Sequence, residues 1–167
     1  MLAVSDVAGI PLRTLYRLSF KQPFLCAPEV GAGRQTQPNR ADRILIVEDD
    51  LLIATEMEAA LTDAGFEITG IVTTGDEAIA SACARAPDLA VVDIRLAGVR
   101  DGVNTALELF RSYGIRCIFA SAYSDAQARR RAEPAAPLGW LNKPYTMTSL
   151  TDLARAALDH VRGKSRQ

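Results

Sequence analysis

From Arg43 onward the chain shows two alternating kinds of apolar pattern. Ile44 to Val47 is an unbroken aliphatic run, and so is Leu89 to Val92. Runs without polar alternation predict strands buried on both faces. Three further apolar segments, Phe66 to Val72, Ile115 to Ala120 and Leu138 to Leu141, predict the remaining strands. Between them the apolar residues recur at helical spacing. Residues 50–64 carry Ile53, Met57, Ala60, Leu61 and Ala64 on one face, and Gly65 ends that helix. Thr74 with Glu77 three positions on is a capping box, opening a helix to about Arg85 that Pro87 stops. Val103, Ala106, Leu107 and Phe110 define a third helix after a polar loop, Asp93 to Gly102. Ser124 to Gln127 caps a short arginine-rich helix ended by Pro134. The last helix, about Met147 to Val161, aligns Leu150, Leu153, Ala154, Ala157, Leu158 and Val161.

Five strands alternating with five helices predict an α/β fold, a doubly wound five-stranded parallel sheet covered on both sides. In such sheets, sites form beyond the carboxyl ends of the strands, at the topological switch point. The chemistry-bearing residues fall at those ends. Glu48 and Asp49 follow the first strand, Asp93 the third, Ser121 the fourth and Lys143 the fifth. Carboxylates gathered in one crevice repel one another and need a cation to stay ionised together. An all-oxygen ligand set suits Mg²⁺, or Mn²⁺ in its place. A carboxylate triad with a lysine and a hydroxyl nearby is the equipment that phosphorylating an aspartate requires. Taken singly the residues read more plainly: Asp50 as a helix cap, Asp93 as a turn residue, Lys143 as a surface lysine, Trp140 as a core aromatic, and Arg129 to Arg131 as a solvated helix face.

Composition adds limits. The chain has 167 residues, 49% hydrophobic and 23% charged, with a formal net charge of -1. Residues 1–40 carry net +3 and the remainder net -4, so the regular part offers no basic surface for nucleic acid. Residues 1–40 also hold Pro11, Pro23, Pro28 and Pro38, and read as a flexible extension. A short amphipathic stretch within it, Leu12 to Phe20, is too short to be a stable helix alone. Cys26, Cys83 and Cys117 lack metal-ligand spacing, and the latter two read as inert core thiols suited to a reducing cytoplasm. No apolar run approaches the ~20 residues of a membrane span, and Pro11, Arg13, Arg17 and Lys21 break up any signal-peptide core. A soluble cytoplasmic protein is expected.

Residues 42–162 resemble the receiver domain of two-component response regulators. The resemblance is carried by Ile44 to Asp50, by Val91 to Leu96 with Asp101-Gly102, by Ser121-Ala122, and by Gly139 to Pro144. It implies the flavodoxin-like strand order 2-1-3-4-5. It further implies that Asp93 is the phosphoacceptor, taking a phosphoryl group from a histidine kinase. Asp49, Asp93 and the backbone carbonyl of Arg95 would ligate Mg²⁺, with Glu48 binding directly or through water. Lys143 would pair with phosphoryl oxygens, Ser121 would hydrogen-bond one of them, and Trp140 stands at the switch aromatic's position. Arg95 and Tyr123 stand where the family tunes hydrolysis, and their bulk predicts a long-lived phosphoryl group.

The sequence departs from the commonest family pattern in four places. Ala97 stands where many receivers have proline, and the loop from Asp93 to Asp101 is one residue longer than in chemotaxis-type receivers. Ser121 replaces the commoner threonine, and Tyr123 is bulky where small residues are frequent. The loop resembles that of stand-alone receivers and of general-stress regulators.

The expected arrangement is an N-terminal extension over 1–40, a receiver over 41–163 and a tail over 164–167. Its function would be a signalling module rather than an enzyme, with self-catalysed phosphoryl transfer and hydrolysis only. The partners implied are a sensor histidine kinase or histidine phosphotransfer protein and a downstream protein, with no direct DNA or membrane contact, as monomer or homodimer. The alternatives are a phosphate shuttle within a phosphorelay and a Mg²⁺-dependent phosphatase with an aspartyl nucleophile. The phosphatase family resembling this pattern places Asp-x-Asp directly after the first strand, and here Asp93-Ile-Arg95 breaks that pair.

Overall fold

A computed structural model of the chain describes residues 40–122 and 126–164. The 1–39 segment with Cys26, Tyr123, and Ser124 with its predicted helix cap lie outside the described residues. Five strands and five helices alternate. They are β1 (Arg43–Val47), α1 (Leu51–Asp63), β2 (Glu67–Val72), α2 (Gly75–Arg85), β3 (Leu89–Val92), α3 (Gly102–Tyr113), β4 (Arg116–Ser121), α4 (Ala126–Ala132), β5 (Gly139–Asn142) and α5 (Met147–Lys164). All pairings are parallel, in the order β2-β1-β3-β4-β5. The predicted doubly wound sheet is therefore present, with its order reversing between β1 and β3.

The aliphatic runs are buried on both faces because each strand divides its side chains between two cores. Ile44, Ile46, Leu89 and Val91 pack with Ala54, Met57 and Leu61 of α1 and Leu150, Ala154, Ala157 and Leu158 of α5. Leu45, Val47, Ala90, Val92 and Phe119 pack on the other face with Ala78 and Ala82 of α2 and Val103, Ala106 and Leu109 of α3. The helix faces differ in detail from the sequence reading. On α1, Ala54 is fully buried while Ala60 is only partly so, and on α3 Leu109 is buried more deeply than Leu107 or Phe110. The buried stripe of each helix follows the twisted sheet below it, which spacing along the chain does not record.

The helix ends follow local rules. Asp50 caps α1, its carboxylate accepting from the Leu52 and Ile53 amides. The capping box of α2 is formed, with Thr74 accepting from the Glu77 amide and Glu77 reaching back to the Thr74 amide. Pro134 does not simply end α4. It sits in a single 3₁₀ turn, Glu133–Ala135, that continues from the helix, a tighter winding that a proline near its start tolerates.

The cysteines diverge from expectation. Cys117 is buried and free, and burial pushes its thiol pKa up to about 12, so it is inert. Cys83 is only half-buried on α2, so the reading of two inert core thiols holds for Cys117 alone. No described helix is long and apolar enough to cross a membrane.

Candidate functional site

Three backbone hydrogen bonds set the frame of the site. The Glu48 amide donates to the Val72 carbonyl at 3.0 Å, the Asp93 amide to Val47 at 2.9 Å and the Lys143 amide to Ser121 at 2.9 Å. Each candidate residue is thus anchored to the carboxyl end of a neighbouring strand, and the parallel register brings those ends level. Glu48 and Asp93 are only 2% and 8% exposed, whereas Asp49 is exposed.

One carboxylate oxygen from each of Glu48, Asp49 and Asp93 lies within 4.8 Å of the others, a group that can hold a metal ion. Lys143 reaches into this cluster. Its Nζ donates to Glu48 Oε2 at 2.7 Å and to Asp93 Oδ2 at 2.6 Å. Asp93 Oδ1 accepts from the Arg95 amide at 3.1 Å, and Glu48 Oε1 accepts weakly from the Asp50 amide at 3.4 Å. Three carboxylates therefore face one ammonium, and the crevice is short of positive charge. The donor set is oxygen only and part-buried, which fits a hard divalent cation.

The electrostatics say the same. Burial pushes the Glu48 carboxyl above its ordinary value, with the Asp93 charge adding to it and Lys143 and the Asp50 amide opposing. Burial works against the Lys143 ammonium, but its bonds to Asp93 and Glu48 outweigh that and raise its pKa. A group whose pKa is higher in the folded protein contributes stability that is complete below its unfolded value and is lost as pH rises through the folded value. In chelator, the Glu48 contribution to stability is expected to be lost as pH climbs above 4.5, the ordinary value for that group. Glu48→Gln is expected to flatten that slope. Urea unfolding in EDTA at stepped pH measures it, and an equal slope in the variant would assign the titration to another group.

The loop after Asp93 has a defined path despite its extra residue. Ala97 forms a parallel bridge with Thr74 at the start of α2, and Arg100 pairs with Asp76 at 3.2 Å. The loop then closes on itself, the Gly102 amide donating to the Ile94 carbonyl at 2.9 Å. Asp101 caps α3 through the Asn104 amide. Ser121 is the last residue of β4 and is 2% exposed, one position beyond the level of Asp93 in the β3–β4 register.

Trp140 is on β5, half-buried, its ring stacked on Phe119 with centroids 4.5 Å apart. The Arg129 guanidinium lies 4.6 Å from the centroid of the Trp140 ring. The arginine run is thus not simply a solvated face, since Arg131 also bonds to Asp101 at 2.6 Å. Sequence reasoning missed Tyr145 as well. Its hydroxyl is buried with no hydrogen-bond partner among the described residues, and burial first, then Glu48 and Asp93, raise its pKa against the opposing charge of Lys143. Its place two residues after Lys143 was the available signal.

The sequence profile of the response regulator receiver domain matches residues 44–155. The transcriptional regulatory protein PdtaR of Mycobacterium tuberculosis is 30% identical over 120 residues, covering 72% of this chain and 58% of its own length. The phyllosphere-induced regulator PhyR of Methylorubrum extorquens is 31% identical over 129 residues, covering 76% of this chain and 47% of its own. The chain thus spans about half the length of these relatives. Among solved structures, the signal receiver domain of a modulated diguanylate cyclase from Desulfovibrio desulfuricans superposes with a TM-score of 0.70 at 32% identity. It covers 75% of this chain and 99% of that one.

Proposed function

This chain belongs to the response regulator receiver domain family, and from that premise we propose that residues 41–163 form a phosphoacceptor module in which Asp93 takes a phosphoryl group from a histidine kinase or a histidine phosphotransfer protein. The observation that carries the reading is Lys143, held between Glu48 and Asp93 with an oxygen of Asp49 in the same cluster. One carboxylate must attack a phosphorus that is itself surrounded by anionic oxygens. The site therefore has to supply positive charge and position at once.

Asp49, Asp93, Glu48 and the backbone carbonyl of Arg95 would hold Mg²⁺, which when bound supplies charge neutralisation for the transferring group. The remaining work falls to the chain's own residues. The Arg95 amide on Asp93 Oδ1 fixes the carboxylate's rotation, leaving the Oδ2 side, now bonded to Lys143, as the attacking face. The bond from phosphorus to the donor nitrogen breaks as the bond to the Asp93 oxygen forms. Lys143 then exchanges its bond to the free carboxylate for one to a phosphoryl oxygen, and Ser121 donates its hydroxyl to another. The inward pull on Ser121 frees the space into which Trp140 turns, and the changed α4–β5 face is what a downstream partner reads. Such a switch works only to the extent that phosphorylation favours the inward state.

Incubation with acetyl phosphate and Mg²⁺ tests the reading. Mass spectrometry is expected to find one added phosphoryl group, and borohydride reduction, which converts an aspartyl phosphate to homoserine, is expected to mark Asp93. Labelling at another residue, or undiminished labelling in excess EDTA, would overturn it.

A further inference from the structure

α4 is a seven-residue helix that offers the core little apolar surface. Its buried residues are Ala128 and Ala132, two methyl groups one turn apart. Two arginines supply the polar attachments. Arg129 lays its guanidinium over the Trp140 ring, and Arg131 Nη2 bonds to Asp101 Oδ2. The two anchoring points belong to different parts of the site. Trp140 pairs across the sheet with Phe119, which lies two residues before Ser121. Asp101 closes the loop that begins at Asp93 and caps α3. Through residues two positions apart, α4 is fastened both to the aromatic beside the switch hydroxyl and to the far end of the phosphoacceptor loop.

We propose that Arg129 is a latch that holds Trp140, and with it α4, in the unphosphorylated position. This rests on the reading of Trp140 as the moving aromatic. A turn of the indole toward Ser121 carries it out from under the guanidinium, so the stacking energy belongs to the resting state alone. A contact made in one state only shifts the equilibrium towards that state by its full worth. Arg129 thereby sets how much phosphoryl binding is spent on opening, because the apparent affinity for a ligand falls with the fraction of protein already in the receptive state. The planar guanidinium matters as well as its charge, since it stacks on a ring face where an ammonium does not. Arg131 contributes by keeping α4 at the distance from β5 that stacking needs.

The test uses the whole chain with Mg²⁺ and beryllofluoride, a phosphoryl mimic. Binding is followed by fluorine NMR and the switch by Trp140 emission, Trp140 being the only tryptophan. Arg129→Ala is expected to change the resting emission and to lower the half-saturating beryllofluoride concentration about two- to fivefold, the effect of losing one exposed cation–π contact. Arg130→Ala removes the same charge from the adjacent position and is expected to leave both readouts at wild type. An unchanged or higher half-saturating concentration in Arg129→Ala would overturn the latch. So would an equal drop in Arg130→Ala, which would assign the effect to general electrostatics. Two other failures are distinct. If wild type binds beryllofluoride with no response from Trp140, the switch reading falls and takes the latch with it, while the phosphoacceptor reading stands. If fluorine NMR detects no binding at all, the proposed function itself falls.

Discussion

Lys143→Met is expected to destabilise the protein by about 2–3 kcal/mol in chelator at neutral pH and to slow phosphorylation by acetyl phosphate about 10²-fold or more. Methionine keeps the length and most of the volume, so the loss reports charge and hydrogen bonding rather than packing. With Lys143 gone, Glu48 and Asp93 face each other without their counter-ion, at 2% and 8% exposure. Removing one member of a fully buried pair costs about 3–5 kcal/mol. The Lys143 side chain is 19% exposed, which places this site below that range. Two further signs follow from the same argument. The loss should shrink in acid, where Glu48, already raised by burial, takes up a proton instead. Millimolar Mg²⁺ should restore more stability to the variant than it adds to wild type, because it replaces the missing charge. Urea midpoints with and without Mg²⁺ measure both. A variant as stable as wild type in EDTA would mean that Lys143 is not the counter-charge of this crevice.

If Mg²⁺ binds as proposed, one internal cation, Lys143, and one external cation would share the same carboxylates. Lys143 bonds Glu48 and Asp93 directly, while Asp49 is exposed at the rim of the crevice. Asp49, Glu48 and Asp93 would together hold the metal, which would supply positive charge that Lys143 alone does not. Glu48 is one methylene longer than the aspartate often found at its position. That reach lets it touch Lys143 while its backbone stays in register at the end of β1. Its pKa is raised first by burial and further by the Asp93 charge, against the opposing bond from Lys143.

Much of this was legible in the sequence, for physical reasons. A strand buried on both faces writes itself as an unbroken aliphatic run, and Ile44 to Val47 and Leu89 to Val92 left no alternative pattern. Strand ends then gave the positions of Glu48, Asp49, Asp93 and Lys143 without knowledge of any contact. What stayed hidden depends on how elements face one another. Nothing local separates Arg129, over Trp140, from its neighbour Arg130, because the rotation of α4 about its axis is fixed by Ala128 and Ala132 meeting the core. The path of the loop after Asp93 was equally invisible, since it is set by Ala97 bridging to Thr74 and by Arg100 reaching Asp76, contacts between separate crossovers. Cys83 was misjudged because apolar neighbours in sequence did not mean burial in space.

Gly102→Ala is expected to be the most damaging glycine-to-alanine change among the described residues. A Cβ there would lie 1.8 Å from the Asp93 carbonyl oxygen, 2.8 Å from its carbonyl carbon and 2.9 Å from the Ile94 Cα. All three are backbone atoms, so no rotamer change relieves the overlap. Either α3 withdraws from the sheet or the Asp93 peptide moves, and the latter would also strain the Asp93 amide's bond to Val47. Overpacking of this kind costs about 1–3 kcal/mol where side chains can yield, and more where they cannot. A loss of about 3 kcal/mol or more is expected. Gly75→Ala provides the comparison. Its Cβ would meet Thr105 Oγ1 at 2.2 Å and Arg100 Cδ at 2.8 Å, both side-chain atoms, and the half-exposed arginine can swing away. Gly163→Ala meets nothing and should be neutral or slightly stabilising, as alanine is the better helix former. The expected order of urea midpoints is Gly102→Ala lowest, Gly75→Ala next and Gly163→Ala at or above wild type. In its folded fraction Gly102→Ala should also accept phosphate poorly, because the displaced peptide is that of the phosphoacceptor. A Gly102→Ala protein as stable as Gly75→Ala, with normal phosphorylation, would show that the end of β3 yields freely and that Gly102 does not hold Asp93 in place.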